Sequence, residues 1–421
     1  MINFLKKNIL NKITTIEQNG VAFSIFLFSL FPIIPNKIKG LPVVVLIAVT
    51  LLFFLREIKF KKHLKYGFLF SLLPVVYLLS LTYTANLAYG FKKIETTASL
   101  FFVPICLAII FQKIKSTASL KSIFIHGYIW ATTIYASSIV WYFNYLGLTY
   151  CRINLSHCLS YLDGMFFLSE HPIYVSMFMA IGLIFIANNI FKQNNYIKLL
   201  YFTFSLILSF VMFLLMRKGI IIGIIASFFG FFILNRKYRK ANIIVLITSF
   251  CVILVLSFNF KDAIYKRFSE LTTQDTYEVI NDKNSTSIRY SIYSCSMTLI
   301  GQSPVLGYGV GDAADKLVEC YTPKSEFLAT NRYNSHNQFF AIVLYVGLIG
   351  LILLIWQFVN YFKSVFNNND ILYFQVLIFF LFVFLTENIL DRQSGVILFS
   401  FIVNFLFFHN LNTKEHKITN G

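Results

Sequence analysis

The sequence predicts an all-α fold, a polytopic bundle of about twelve transmembrane helices with a helical cap on its outer side. Three observations carry this. Of 421 residues, 57% are hydrophobic and 13% charged, more apolar surface than a water-soluble core of this length can hide, and the mean hydropathy is +0.70. The apolar runs recur at roughly the 17–25 residues that a helix needs to cross a hydrocarbon core of ~30 Å. Lys and Arg gather in alternate connections.

In chain order the runs fall at 19–35, 40–55, 66–83, 97–112, 122–146, 172–191, 198–216, 219–234, 241–259, 337–360, 371–386 and 393–410. Lipid offers the backbone no hydrogen-bond partner, so runs this long and this rich in Leu, Ile and Phe are helices; membrane strands need only ~10 alternating residues. Three regions follow: transmembrane helices over 1–259, a long outer segment over 260–335, and transmembrane helices with a tail over 336–421. The outer segment carries 9 acidic and 8 basic residues, a surface suited to water. Within it, "KDAIYKRFSELT" has the spacing of an amphipathic helix on the membrane surface, and "DKNSTS" is a polar connector. "TSIRYSIYSCSMTLIG" puts Ile288, Ile292, Cys295 and Leu299 on one helical face. "QSPVLGYGVGD" breaks that helix at Pro304 and three glycines, and "DAADKLVECY" starts another.

With the N-terminus inside, inner connections hold 20 of the 36 Lys and Arg, the long outer segment 8, and the shorter outer connections 8. Long segments translocate regardless of charge, so the comparison is 20 against 8, and both termini are expected in the cytoplasm. The net charge of +18 is then a topology signal. Nucleic-acid binding would need the basic residues on one soluble face. The first run lacks a small-residue cleavage site and is expected to stay as a span. Cys106 and Cys251 lie inside runs. Cys151 and Cys158 share one outer loop, Cys295 and Cys320 the long one, and each pair is open to a disulfide or to free thiols. His157 beside Cys158 lacks the repeated spacing of a zinc site, and no metal site is read.

Ionisable residues at the rims of apolar helices are costly and need an account. Arg217 and Lys218, in "FLLMRKGIIIGII", stand on the outer side against the positive-inside tendency. They either snorkel to the interface or hold a lipid-linked phosphate, for which a guanidinium fork is suited. Arg289, in "STSIRYS", opposes the dipole at the start of its helix, and an acid of the same segment is the plain partner. His336, in "RYNSHNQFFAIVLYVGLIG", follows Ser335, the expected N-cap of a helix beginning near Asn337. The positive end of that helix favours a neutral imidazole, a base for a hydroxyl; the alternative is a histidine that only bonds loop backbone. His171, before Pro172, is a helix cap or a second candidate. Glu387, Asp391 and Arg392 share the last outer connection and are placed to pair among themselves.

Taken together, the outer "RKG", the late outer loop with "R…P…GYGVGD", and "SHNQFFAIVLYVGLIGL" leading out of it resemble the O-antigen ligase and polymerase family of bacterial envelope glycan enzymes. The resemblance spans about residues 171–405 and is strongest over 285–352. It implies a GT-C-like glycosyltransferase of the bacterial inner membrane, working on the periplasmic side. The donor it implies is a glycan on undecaprenyl pyrophosphate, and the acceptor lipid A-core or a growing polysaccharide. Transfer would be inverting, without metal, nucleotide sugar or other cofactor. Carried over, Arg217 and Arg289 hold the pyrophosphate with Lys218 beside them, and His336 is the base. Asn337 and Tyr308, inside the quoted motifs, and His171 and Glu387 are further site candidates. Ligase is preferred, with polymerase the alternative. A transporter or flippase would show repeated halves and ionisable residues at membrane depth, and the sequence shows neither.

Overall fold

A computed structural model describes residues 18–54, 62–114, 117–145, 168–234 and 285–419. Every regular element among them is helical. In the N-terminal part α1 covers 18–29, α2 Leu41–Phe54, α3 Lys62–Phe70, α4 Leu72–Ser80, α5 Leu87–Thr97, α6 Ser99–Lys113 and α7 Ala118–Tyr145. Next come α8 (Pro172–Asn189), α9 (Asn195–Leu215) and α10 (Lys218–Leu234). The outer segment contributes α11 (Ser285–Gln302), α12 (Ala313–Tyr321) and α13 (Glu326–Thr330). Then α14 (Gln338–Asn368), α15 (Ile371–Thr386) and α16 (Gln393–Thr419) complete the chain.

Among the described residues, 8 helical stretches are long and apolar enough to cross a membrane, and Lys218–Gly230 and Ile371–Thr386 are shorter apolar helices. The chain is a multi-pass helical membrane protein. The expected run at 241–259 and the "KDAIYKRFSELT" helix lie outside the described residues. The α16 helix forms the axis. Phe399, Phe401 and Phe405 are buried on it, with Phe28 stacked on Phe401 at 3.7 Å and Phe124 and Phe380 packed edge-on at 5.1 and 5.2 Å. Aromatic packing of this kind holds helices together where lipid removes the hydrophobic drive.

Two local features place the rim residues. The first is glycine on α10, facing α15. A Cβ at Gly219 would lie 2.2 Å from Thr386 Oγ1 and 2.7 Å from its Cβ, and one at Gly230 would lie 2.8 Å from the Phe374 ring. The missing side chains let the helices touch. The Arg217–Lys218 turn is thereby held against the end of α15.

The second is a break in α14 at Val346 and Gly347, where Gly347 has φ 65°. The "GYGVGD" loop fills it. Tyr308 N–H donates to Leu344 O (2.8 Å), Gly309 N–H to Tyr345 O (2.9 Å), and Leu348 N–H to Pro304 O (2.8 Å). Groups freed by the break are thus paired, as buried backbone requires. Asp312 then accepts from Ala85 N–H (2.8 Å) and Asn86 N–H (2.7 Å) at the start of α5, and a Cys295–Cys320 disulfide joins α11 to α12. The Cys151 and Cys158 pair lies outside the described residues.

Candidate functional site

The entrance to α14 sets the histidine. Asn337, not the expected Ser335, is the N-cap: its side-chain oxygen accepts from Phe339 N–H (2.9 Å) and Phe340 N–H (3.2 Å). Ser335 instead donates to Asn337 O (3.0 Å) and accepts from Asn388 Nδ2 (3.0 Å). The cap shifts because His336 sits in the left-handed region, φ 45°, so the chain turns once more before the helix begins. The Tyr293 hydroxyl, from α11, lies 3.2 Å from the carbonyl oxygens of both His336 and Leu385 and pins this turn to the end of α15.

Glu387 is the C-cap of α15 and the meeting point of the site. Its Oε1 accepts from an Arg289 NH2 group at 2.5 Å, and its Oε2 lies 3.2 Å from His336 Nδ1. The carboxylate is 9% exposed, His336 22% and Arg289 32%, so the acid is enclosed while its two partners reach solvent. Burial pushes the Glu387 carboxyl up. The hydrogen bond from His336 and the charges of Arg289, His336 and Arg217 outweigh it, and the net shift is downward. An ionised carboxylate can only accept, so the proton of a neutral His336 sits on Nδ1 and the lone pair on Nε2. Arg217 reaches the same acid by its charge, from the turn that Gly219 presses against Thr386.

The structure therefore brings Arg289 and His336 together at one carboxylate, on which the charge of Arg217 also acts. Two expectations are corrected. Arg289 pairs with Glu387 from the last connection, not with an acid of its own segment. Glu387, Asp391 and Arg392 do not pair among themselves: the 3-10 turn Ile389–Asp391 separates the two acids, and each finds a cation from another element. Asp391 lies 3.0 Å from Lys93 and accepts from the Tyr345 hydroxyl at 2.9 Å, while Asn388 Nδ2, 3.3 Å from Asp391, links this buried pair to Ser335.

The other candidates serve the frame. Asn337 caps α14 and its Nδ2 donates to Leu385 O at 3.3 Å. Tyr308 donates its hydroxyl to Leu299 O at 2.9 Å, at the end of α11. His171 caps α8, Nδ1 accepting from Ile173 N–H at 3.4 Å, beside the buried Lys39–Glu170 pair at 2.6 Å. Lys218 opens α10 and is half-buried. Glu387 stood among the sequence candidates, but its bridging role did not. The available signal was an acid placed directly after a sixteen-residue apolar helix, Ile371–Thr386.

Residues 203–355 match the family model described as O-antigen ligase. No curated protein matches the chain at a significant level. The matched segment holds Arg217, Arg289 and His336 and ends before Glu387, which the fold supplies from the next connection. By this match, on an all-helical multi-pass fold, the chain is similar over residues 203–355 to the O-antigen ligase family of membrane proteins.

Proposed function

We propose that the chain transfers a glycan from an undecaprenyl-pyrophosphate carrier to an acceptor hydroxyl at the non-cytoplasmic face of the bacterial inner membrane. One observation carries the reading: Arg289 and His336, from separate elements, both contact Glu387 just past the end of α15, and the charge of Arg217 acts on the same carboxylate. The acceptor hydroxyl gives its proton to His336 Nε2, and its oxygen forms a bond to the anomeric carbon. The bond from that carbon to the pyrophosphate breaks on the opposite face, its electron pair leaves with the pyrophosphate, and the configuration inverts.

Pyrophosphate is already a competent leaving group, so the protein has two tasks: to hold developing negative charge and to align a base. A guanidinium has five N–H donors, and Glu387 engages only part of the Arg289 fork. The remainder, with Arg217 and Lys218, suits the pyrophosphate oxygens. Glu387 holds the imidazole ring and its tautomer, as a carboxylate does in other histidine bases. The bilayer fixes the polyprenyl tail, which sets the depth of the pyrophosphate near the Arg217 turn. Neither a metal ion nor a nucleotide sugar is required by this scheme. The preponderance of Lys and Arg in the other set of connections supports a site on the non-cytoplasmic side.

We favour a ligase, with lipid A-core as acceptor. The test is transfer by purified protein from a polyprenyl-pyrophosphate glycan, without added metal or nucleotide. A single addition to lipid A-core is the expected product; a ladder of extended glycans would identify a polymerase instead. Wild-type transfer by His336→Ala would overturn the assignment of the base.

A further inference from the structure

A second polar site lies at the opposite ends of the same helices. A cavity of about 510 Å³ opens between the start of α7, the end of α8, the α14–α15 connection and the end of α16. Glu387 follows the far end of α15, so the two sites are separated by the length of that helix.

Three sets of polar groups in its lining bear on what it could hold. Lys121 and Lys192 line it with one carboxylate, Asp370. Asp370 is already served by the protein, accepting from Lys121 at 2.8 Å and from Tyr373 N–H at 3.1 Å, whereas the Lys121 ammonium has three N–H donors and Lys192 is exposed. Next come amides whose nitrogens are already engaged by the protein. Asn188, Asn189 and Asn368 each donate to the carbonyl one turn back, at 2.8, 2.8 and 2.9 Å, which leaves the side-chain oxygen as an acceptor. Last, Asn410 Nδ2 has no hydrogen-bond partner among the described residues, although Asn410 is only 3% exposed. A buried amide N–H2 with no partner carries a desolvation cost that a bound acceptor removes.

This set discriminates between ligands. A divalent cation would need several oxygen ligands with more negative charge than one engaged aspartate gives. A neutral sugar would use the amides and leave Lys192 without an anionic partner. A phosphate on a short hydroxylated chain uses both: the anion meets the lysines and Asn410 Nδ2, and the hydroxyls donate to the amide oxygens. The volume is within the range of small-ligand sites, roughly 300–1,000 Å³. We propose that this cavity binds a phosphate ester of the glycerol phosphate kind, either free or as the headgroup of a lipid in the adjoining leaflet.

The test uses the full chain purified in detergent. Radiolabelled glycerol 3-phosphate is titrated in one arm; in the other, phosphatidylglycerol is compared with phosphatidylcholine by native mass spectrometry. Binding of glycerol 3-phosphate identifies a soluble ligand, and selective retention of phosphatidylglycerol alone identifies a headgroup. In either case Lys192→Gln and Asn410→Leu are each expected to weaken binding about tenfold, the cost of one charge-assisted hydrogen bond. Lys192 is exposed, so its variant carries the test even if the buried substitution impairs folding. The proposal is overturned if neither probe binds selectively, or if Lys192→Gln binds as tightly as wild type.

Discussion

His336 Nδ1 lies 3.2 Å from Glu387 Oε2, across a separation of 51 residues, and the other oxygen of that carboxylate is held by Arg289. One acid thus orients the proposed base and ties it to a proposed anion-binding cation. Glu387→Gln keeps the shape and removes the charge that dictates which ring nitrogen carries the proton. Transfer is expected to fall about 10²–10⁴-fold, with Glu387→Asp partly restoring it. His336→Ala should fall at least as far. The measurement is the rate of glycan transfer by purified protein across pH. An unchanged pH profile in Glu387→Gln would reduce Glu387 to a structural tie.

Arg289→Lys keeps one positive charge and loses the planar fork. Lysine can still pair with Glu387 but cannot at the same time present parallel N–H bonds to a pyrophosphate. Loss of one such charge-assisted contact predicts a rise of roughly 10–100-fold in the donor KM. Arg217→Lys is the companion variant. Steady-state kinetics with varied donor distinguish the roles: an unchanged donor KM in both variants would remove the arginines from the pyrophosphate site.

Sequence reading carried the helical membrane fold and the rim residues because both depend on local features. An apolar run of span length identifies itself, as does an arginine where lipid should be. Ser285–Gln302 and Ala313–Tyr321 were legible for the same reason, through periodicity and a proline-glycine break. Pairing was not legible. Arg289 and Glu387 are 98 residues apart, and what joins their elements is the Tyr293 hydroxyl, which bridges α11 to the end of α15. Ser335 and Asn337 were both good N-caps by residue type, and the choice fell to the left-handed turn at His336, which composition does not encode.

Acid stability gives an independent reading of Glu387. Its folded-state pKa is held below the ordinary value of 4.5, so its ionised form favours the folded protein. That contribution is complete above the unfolded pKa and is lost as pH falls through the lower folded one. The melting temperature of wild type should therefore decline more steeply than that of Glu387→Gln below about pH 4.5. At neutral pH the variant melts lower, and the two curves approach each other in acid. Parallel curves from pH 6 to pH 3, on an order-of-magnitude reading of linkage, would show that no favourable charge interaction is lost there.

Gly219 tests whether helix contact places Arg217. A methyl group at this position would meet Thr386 Oγ1 at 2.2 Å and its Cβ at 2.7 Å, and rotation of the Thr386 side chain relieves only the first overlap. Gly219→Ala should then push α10 from α15 at the level of Glu387, at a cost of about 1–3 kcal/mol typical of overpacking. Transfer should fall with it, because Arg217 lies two residues away on the displaced turn. Thr386→Gly removes the atoms that clash, so the double variant Gly219→Ala with Thr386→Gly should recover much of both stability and transfer. Melting curves and donor kinetics on the two single variants and the double variant make up the cycle. Additive losses in place of recovery would mean that the Gly219–Thr386 contact does not set the position of Arg217.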